Sequence, residues 1–229
     1  MRPLELRQVP LFAPMTRADL ATVAMVVRRV DCRRGTVLFS AGDPCAGISV
    51  VLDGVVRLFR RTPGRRDVTT GIVRAGGLMA LCALCGEVTH RDHAEALTRV
   101  RAVELPAAAL HDLGQRCPSL LEQAMDGLRE RLDVASAAFV TAQEQVPAQL
   151  LHLLRAVARQ GPAAPRYPGD AMHPLALRLS HAELARLIGT DRPTVTRTLR
   201  LLEEQGLIRR ERGHVTGVVL SMPSGKVPM

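Results

Sequence analysis

The spacing of apolar residues changes several times along the chain. Residues 16–30 carry Leu20, Val23, Ala24 and Val27 on one helical face, with Thr16 placed to cap it, and predict a short helix. From Gly35 to about Pro106 the texture becomes short β-like runs cut by glycines: Thr36-Val37-Leu38-Phe39, Ile48 to Leu52, and Val55 to Phe59. Asp53-Gly54 separates the last two runs and predicts a hairpin, and Pro63-Gly64 and Gly76-Gly77 predict further turns. Many short strands at close spacing suggest a sandwich or a jelly-roll barrel, although the period-2 alternation is imperfect. Residues 119–146 then turn helical. Met125, Leu132, Phe139 and Val146 fall at one seam position, and Leu121, Leu128, Ala135 and Ala142 at the other. A seven-residue repeat of this length is the stripe of a coiled coil and predicts a dimerisation helix. The alternative is a helix packed on its own domain.

Pro147 can open a fresh helix running through Leu150, Leu151, Leu153, Leu154 and Val157. Glycine and proline recur from Gly161 to Pro174 and predict a loop, and Pro223 to Met229 reads as a frayed tail. Ser180-His181-Ala182-Glu183 is a capping box, which opens a helix from His181 to Ile188 with Leu184, Ala185 and Ile188 inward. Gly189-Thr190-Asp191 makes a turn, and a second helix runs from about Pro193 to Gln205, ending at Gly206. Ala185, Gly189 and Val195 have helix-turn-helix spacing: a small residue at the crossing, a glycine in the turn, a β-branched plug. In the second helix Val195, Leu199 and Leu202 share the core side, while Arg197 points away between Thr196 and Arg200. Arginines on the outward N-terminal half of a short helix suit the major groove, where a guanidinium can grip guanine O6 and N7 together. Leu207 to Arg212, a Gly213-His214 turn, and Val215 to Leu220 read as a β wing whose arginines would meet phosphates.

Charge agrees with that placement. The net charge is +9, and residues 147–229 carry 12 basic and 6 acidic groups, so two thirds of the excess lies in the C-terminal third of the chain. Five cysteines, an odd number, argue against a secreted disulfide framework. The N-terminal residues lack the apolar core of a signal peptide, and no run approaches the roughly 18 apolar residues of a membrane span. These features predict a cytoplasmic protein.

The stretch from Leu179 to Leu220 resembles the winged helix-turn-helix of the cyclic-AMP receptor protein/FNR (Crp/Fnr) family of bacterial transcription regulators. The similarity runs through Asp191-Arg192-Pro193-Thr194-Val195-Thr196-Arg197. Val9 to Phe12, Gly35 to Phe39, Ala41 to Pro44 and Val51 to Leu58 are similar to that family's N-terminal β-roll. The resemblance implies an α+β chain in three parts. These are a cyclic-nucleotide-binding-like β-roll (a jelly roll) over 1–118, a dimerisation helix over 119–146, and a winged helix-turn-helix over 147–229. It implies that Arg192 and Arg197 read the operator, and that Ser180, His181, Thr194 and Arg200 make phosphate or flanking contacts, beside Thr196. It also implies a homodimer, double-stranded DNA and RNA polymerase as partners. Where many relatives carry a glutamate after the first arginine this chain has Pro193, which cannot accept from cytosine N4 and biases Arg192 out of the helical region.

In cyclic-AMP-binding relatives a glutamate holds the ribose hydroxyl, and an arginine and a serine hold the phosphate. The corresponding candidates here are Ala80, Leu81, His90 and Arg91, with Leu81 at the glutamate position, which predicts DNA binding that does not need cyclic AMP. Cys82 and Cys85 form a CxxC nearby, readable as a thiol switch, a metal or haem site, or plain core. No cofactor is expected. The alternative function is the same regulator gated by a redox, metal or small-molecule signal in the β-roll, a cyclic nucleotide included. An enzyme is not expected: the CxxC lies amid β-like runs, and no phosphate loop, nucleophile elbow or carboxylate pair is present.

Overall fold

The computed structural model describes residues 6–7, 9–62, 67–141, 145–159, 172–175 and 177–220. Within them, the side chains at 85, 119, 130, 131, 134, 135, 137–141 and 159 are not described. The chain divides into two compact units, residues 1–60 with 71–133, and residues 61–70 with 134–229.

Helix α1 (Arg17–Val26) is capped by Thr16, whose hydroxyl accepts from the Asp19 amide. It is shorter than its apolar pattern predicts, because β1 (Arg28–Cys32) begins two residues after its end. β1 escapes a hydropathy reading because it is an edge strand, held at its rim by Arg28–Glu104 and Arg99–Asp31 pairs. Seven more strands follow: β2 (Val37–Phe39), β3 (Gly47–Asp53), β4 (Val55–Arg61), β5 (Asp67–Arg74), β6 (Leu78–Met79), β7 (His93–Ala96) and β8 (Val100–Pro106). They form two four-stranded sheets, ordered β1-β8-β3-β6 and β2-β7-β4-β5.

Val51, Met79, Val100 and Ala102 of the first sheet meet Val56, Leu58, Val73, Ala94 and Ala96 of the second, filling the space between the sheets. The next residues along the same strands, Ile48, Val50, Val103 and Leu105, point the other way, into a second cluster. There they meet Phe12, Leu20 and Val23, Leu110 and Leu113 of α2 (Ala107–Arg116), and Leu120 and Ala124 of α3 (Pro118–Thr141). The first sheet is thus covered on both faces. This is why Val50, Val51 and Leu52 read as consecutive apolar residues rather than an alternation.

Asp53-Gly54 does not make a hairpin. β3 and β4 belong to different sheets, and the turn carries the chain from one to the other. Gly54 has φ +95°, and a Cβ there would lie 2.2 Å from the Arg99 carbonyl oxygen, so only glycine fits. The Gly76-Gly77 turn forms, with the Gly77 amide donating to the Arg74 carbonyl at 2.8 Å, while Pro63-Gly64 lies outside the described residues.

Helix α3 has two apolar faces. Leu120, Ala124 and, partly, Leu128 turn into the cluster beneath the first sheet, and Gly127 lets the helix approach Leu78, which a Cβ would meet at 2.6 Å. Leu121, Met125 and Leu132 face outward, 41%, 67% and 66% exposed. Ala135 and Phe139 belong to the undescribed side chains and Ala142 lies outside the described residues. Val146 does not continue this helix; it opens α4 (Val146–Arg159), with Pro147 in the first turn. Leu128 is correspondingly shared between seam and core.

In the C-terminal unit α4 buries Leu150, Leu151, Leu153, Leu154 and Val157. It packs against α5 (His181–Ile188), α6 (Arg192–Glu204) and strand β11 (His214–Val219). β11 pairs on one side with β10 (Ile208–Glu211) and on the other with β9 (Met172–Pro174). The expected loop from Gly161 therefore ends in a short edge strand, while residues 160–171 and 221–229 lie outside the described residues.

The crossover accounts for a difference between two glycines of similar φ. Gly35 has φ +82° and no neighbour near an added Cβ, so Gly35→Ala should cost only the strained backbone, about 1–2 kcal/mol. Gly54→Ala adds a collision with backbone and should cost about 3 kcal/mol or more. Urea unfolding of both variants checks this; equal losses would contradict the crossover account.

Candidate DNA-binding interface and effector pocket

Local hydrogen bonds set the two helices of the motif. The Ser180 hydroxyl accepts from the Glu183 amide at 3.2 Å, and Glu183 Oε2 accepts from the Ser180 amide and hydroxyl, both at 2.8 Å. Ser180 is therefore engaged as a cap, with both its donors on Glu183. The turn follows from Gly189 at φ +75°. Asp191 caps α6: Oδ1 accepts from the Thr194 amide at 2.9 Å and Oδ2 from its hydroxyl at 2.8 Å, and these bonds hold the Asp191 carboxyl below the usual carboxylate range. The cap draws Arg192 into the helix, so α6 begins one residue earlier than the proline bias predicts.

The faces of α6 separate cleanly. Val195, Thr198, Leu199 and Leu202 are buried, whereas Arg192, Thr196, Arg197 and Arg200 are exposed. In α5 Leu184, Ala185 and Leu187 are buried and Ile188 only half so, a shift of the inward face by one residue. Arg197 rests a guanidinium nitrogen 3.4 Å from the Thr194 hydroxyl, and Arg200 donates to Glu204 at 3.1 Å in an exposed pair. Exposed pairs of this kind are worth little and can be exchanged for a phosphate. Thr196 donates to the Arg192 carbonyl at 3.0 Å, and its oxygen lies 2.9 Å from His181 Nδ1, joining the two helices. Burial keeps the His181 imidazolium below its ordinary range, and Arg210 and Arg192 act in the same direction.

The β-roll candidates have different surroundings. Leu81 opens a short 3₁₀ turn, Leu81–Cys85, and is buried in the cluster beneath the helices. Ala80 before it is buried with a left-handed φ of +59°. Arg91 is exposed and donates to Glu87 at 2.6 Å. His90 stacks on Phe39, ring centroids 3.8 Å apart and nearly parallel, and burial lowers its pKa. Cys82 meets Cys45 across the fold, Sγ to Sγ 2.9 Å, while the Cys85 side chain is not described. Burial, together with the adjacent Cys82, pushes the Cys45 thiol up to about 12.

Two family models match the chain. A cyclic nucleotide-binding domain model matches residues 29–117, and a Crp-like helix-turn-helix domain model matches residues 145–222. The CRP-like cAMP-activated global transcriptional regulator of Mycobacterium tuberculosis is 26% identical over 211 residues, 90% of this chain and 91% of that one. The cyclic AMP receptor protein of Thermus thermophilus is 29% identical over the same shares. A solved CRP/FNR-family transcriptional regulator from Thermus thermophilus, 27% identical, superposes with a TM-score of 0.61 over 84% of this chain and 94% of its own. The chain belongs to the Crp/Fnr family.

As a Crp/Fnr-type transcription regulator the chain carries its helix-turn-helix on α5 and α6, followed by a wing of β10 and β11. One wing arginine departs from expectation. Arg210 is drawn back onto α6, where it pairs with Glu203, so its charge is compensated within the unit; the reach spans seven residues and two elements, beyond any local motif. Arg209 and Arg212 remain exposed, Arg212 at the tip with φ +49°. Sequence reasoning also missed two features of the β-roll. Cys45 reaches Cys82 only through the fold. Arg57, fully buried on β4, lies 3.6 Å from Glu95 and over the Phe59 ring at 4.6 Å.

Proposed function

We propose that two copies of this chain bind an inverted-repeat operator in double-stranded DNA, with α6 of each in the major groove, and that they do so without cyclic AMP. The observation that carries the reading is the division of α6. One face, Val195, Leu199 and Leu202 with Thr198, is buried, which fixes the rotation of the helix, and Arg192, Arg197 and Arg200 are held outward on the other. Arg197 reads a base edge, Arg192 lies beside it, and Thr194, Arg200 and His181 flank the groove. Ser180 serves chiefly as the cap. The exposed wing arginines Arg209 and Arg212 meet phosphates.

Two-fold association is supported by Leu121, Met125 and Leu132, large apolar groups exposed in one row on α3. Leu128 borders that row, and Ala135 and Phe139 extend it by heptad position. An exposed row of this kind is stabilised by a second copy of itself. Independence from cyclic AMP is supported by Leu81. Its side chain is buried among apolar residues and offers no acceptor for a ribose hydroxyl, while Arg91 is engaged with Glu87. A hydroxyl without its acceptor loses roughly 1–3 kcal/mol of binding, and weak differential binding gives weak switching. The regulator acts in the cytoplasm, with RNA polymerase as its protein partner, and has no catalytic role. The domain limits that accompany this reading are 1–118, 119–146 and 147–229.

Two variants separate base reading from phosphate contact. Arg197→Ala should cost about 1–3 kcal/mol on the preferred site and relax selectivity at one position per half-site. Arg212→Ala should weaken all duplexes alike and lower the salt slope by about one unit. Binding titrations across single-base operator variants read both; uniform losses for Arg197→Ala would exclude base reading by that residue. Leu132→Glu places a charge in the apolar row and should give monomers by sedimentation, with specific binding lost. A Leu132→Glu variant that remains dimeric would remove α3 as the interface.

A further inference from the structure

Three chain segments distant in sequence bring ligating atoms together in the β-roll. Cys45 lies between β2 and β3, Cys82 in the 3₁₀ turn after β6, and His90 just before β7. Cys45 Sγ, Cys82 Sγ and the His90 ring nitrogen all lie within 4.8 Å of one another, and no other such cluster occurs among the described residues. We infer that Cys45, Cys82 and His90 form a binding site for a thiophilic d10 metal ion, Zn²⁺ or Cu⁺, ligated by two thiolates and an imidazole. The inference of the site stands on this geometry alone. The ion's role as the signal that sets operator affinity rests on the regulatory reading above.

The surroundings hold the ligands in place. Backbone bonds clamp the Cys45 and His90 segments to each other: the Gly42 amide donates to the His90 carbonyl at 2.8 Å, the His90 amide to the Asp43 carbonyl at 2.9 Å, and the Cys45 amide to the Val88 carbonyl at 2.8 Å. Stacking on Phe39 fixes the plane of the imidazole, and Nδ1 faces Cys82 Sγ at 3.9 Å. A tetrahedral ion with bonds of about 2.3 Å to sulfur and about 2.0 Å to nitrogen sets those two atoms roughly 3.6 Å apart, close to what is found. The same ion sets its sulfurs roughly 3.8 Å apart, so the thiols, at 2.9 Å, must separate by about 1 Å, within the reach of side-chain rotation. Each thiol gives its proton to solvent as its sulfur takes the metal.

The donor set selects the ion. Thiolate and imidazole ligands favour Zn²⁺ and Cu⁺ over Mg²⁺ or Ca²⁺. Cys82 is half-exposed beside the buried Cys45, which leaves a path for entry. The site includes one of the candidate effector residues, His90, and its ligands adjoin Leu81 and Arg91 in sequence, in a β-roll whose Leu81 is unsuited to a nucleotide. In the proposed site the second thiolate comes from Cys45, which the fold brings to Cys82.

The test uses the full chain, reduced and freed of metal, titrated separately with Zn²⁺ and with Cu⁺ against a chelator of known affinity. One ion per chain is expected, from whichever metal binds, with a thiolate charge-transfer band when Co²⁺ replaces Zn²⁺. Cys82→Ser and His90→Gln should each weaken binding tenfold or more, as should Cys45→Ser if circular dichroism shows it folded; Cys117→Ser should leave it unchanged. His90→Gln keeps the test decisive should Cys45→Ser fail to fold. The proposal is overturned if neither ion binds stoichiometrically. It is equally overturned if Cys85→Ser abolishes binding while Cys45→Ser, folded, retains it, or if the two thiols form only a disulfide and the reduced chain takes up no metal. Specific DNA binding by the metal-free chain, measured in parallel, keeps failure of this site distinct from failure of the regulatory reading.

Discussion

Much of the N-terminal architecture follows from a sheet whose two faces are both apolar and so must both be covered. Val51, Val100 and Ala102 on one side demand a second sheet, and Ile48, Val50, Val103 and Leu105 on the other demand helices. Burying side chains of this size is worth roughly 1.5–3 kcal/mol each, so leaving either face open is too costly for a fold of ordinary stability. Helix α3 is recruited by that demand through Leu120 and Ala124. The face it turns away carries Leu121, Met125 and Leu132, all exposed. A helix that is apolar on both sides serves two cores. The proposed dimer is the second of them.

The C-terminal unit obeys the complementary rule, in which burial on one side dictates what is displayed on the other. Val195, Leu199 and Leu202 fix the rotation of α6, the Asp191 cap fixes where it starts, and Gly206 follows its end with φ +72°. Once these are set, Arg192, Arg197 and Arg200 have no direction available except outward. Glu203 and Glu204 offset positive charge at the C-terminal end of the helix, through Arg210 and Arg200. Arg192 and Arg197 in the N-terminal half of α6 and Arg212 at the wing tip remain exposed.

Features decided within a few residues were legible in the sequence. The Ser180–Glu183 capping box, the Gly189 turn, the split faces of α6 and the Thr16 cap all form as the local pattern predicts. Features decided by which elements become neighbours were not. The Asp53-Gly54 turn has hairpin chemistry, yet nothing local says that β4 leaves for the other sheet. β1 looks like a helix tail because an edge strand need not alternate in hydropathy. The heptad row is continuous in sequence, but Gln145 is not helical and Val146 starts the next helix. Arg210 and Cys45 find Glu203 and Cys82 only through tertiary packing. Of the candidate pocket, the apolar side chain at Leu81 was visible in the sequence. Its burial in the helix-side cluster and the pairing of Arg91 with Glu87 were not.

The account stands or falls on whether a paired, outward-facing α6 reads DNA without a nucleotide signal. Selection of bound sequences from a random duplex pool by the purified chain, with and without micromolar cyclic AMP, tests this directly. The account predicts one enriched inverted repeat, its half-site centres roughly one helical turn or about 34 Å apart, identical in both arms. Absence of an enriched sequence, enrichment of a lone half-site, or an inverted repeat that emerges only with cyclic AMP would contradict it.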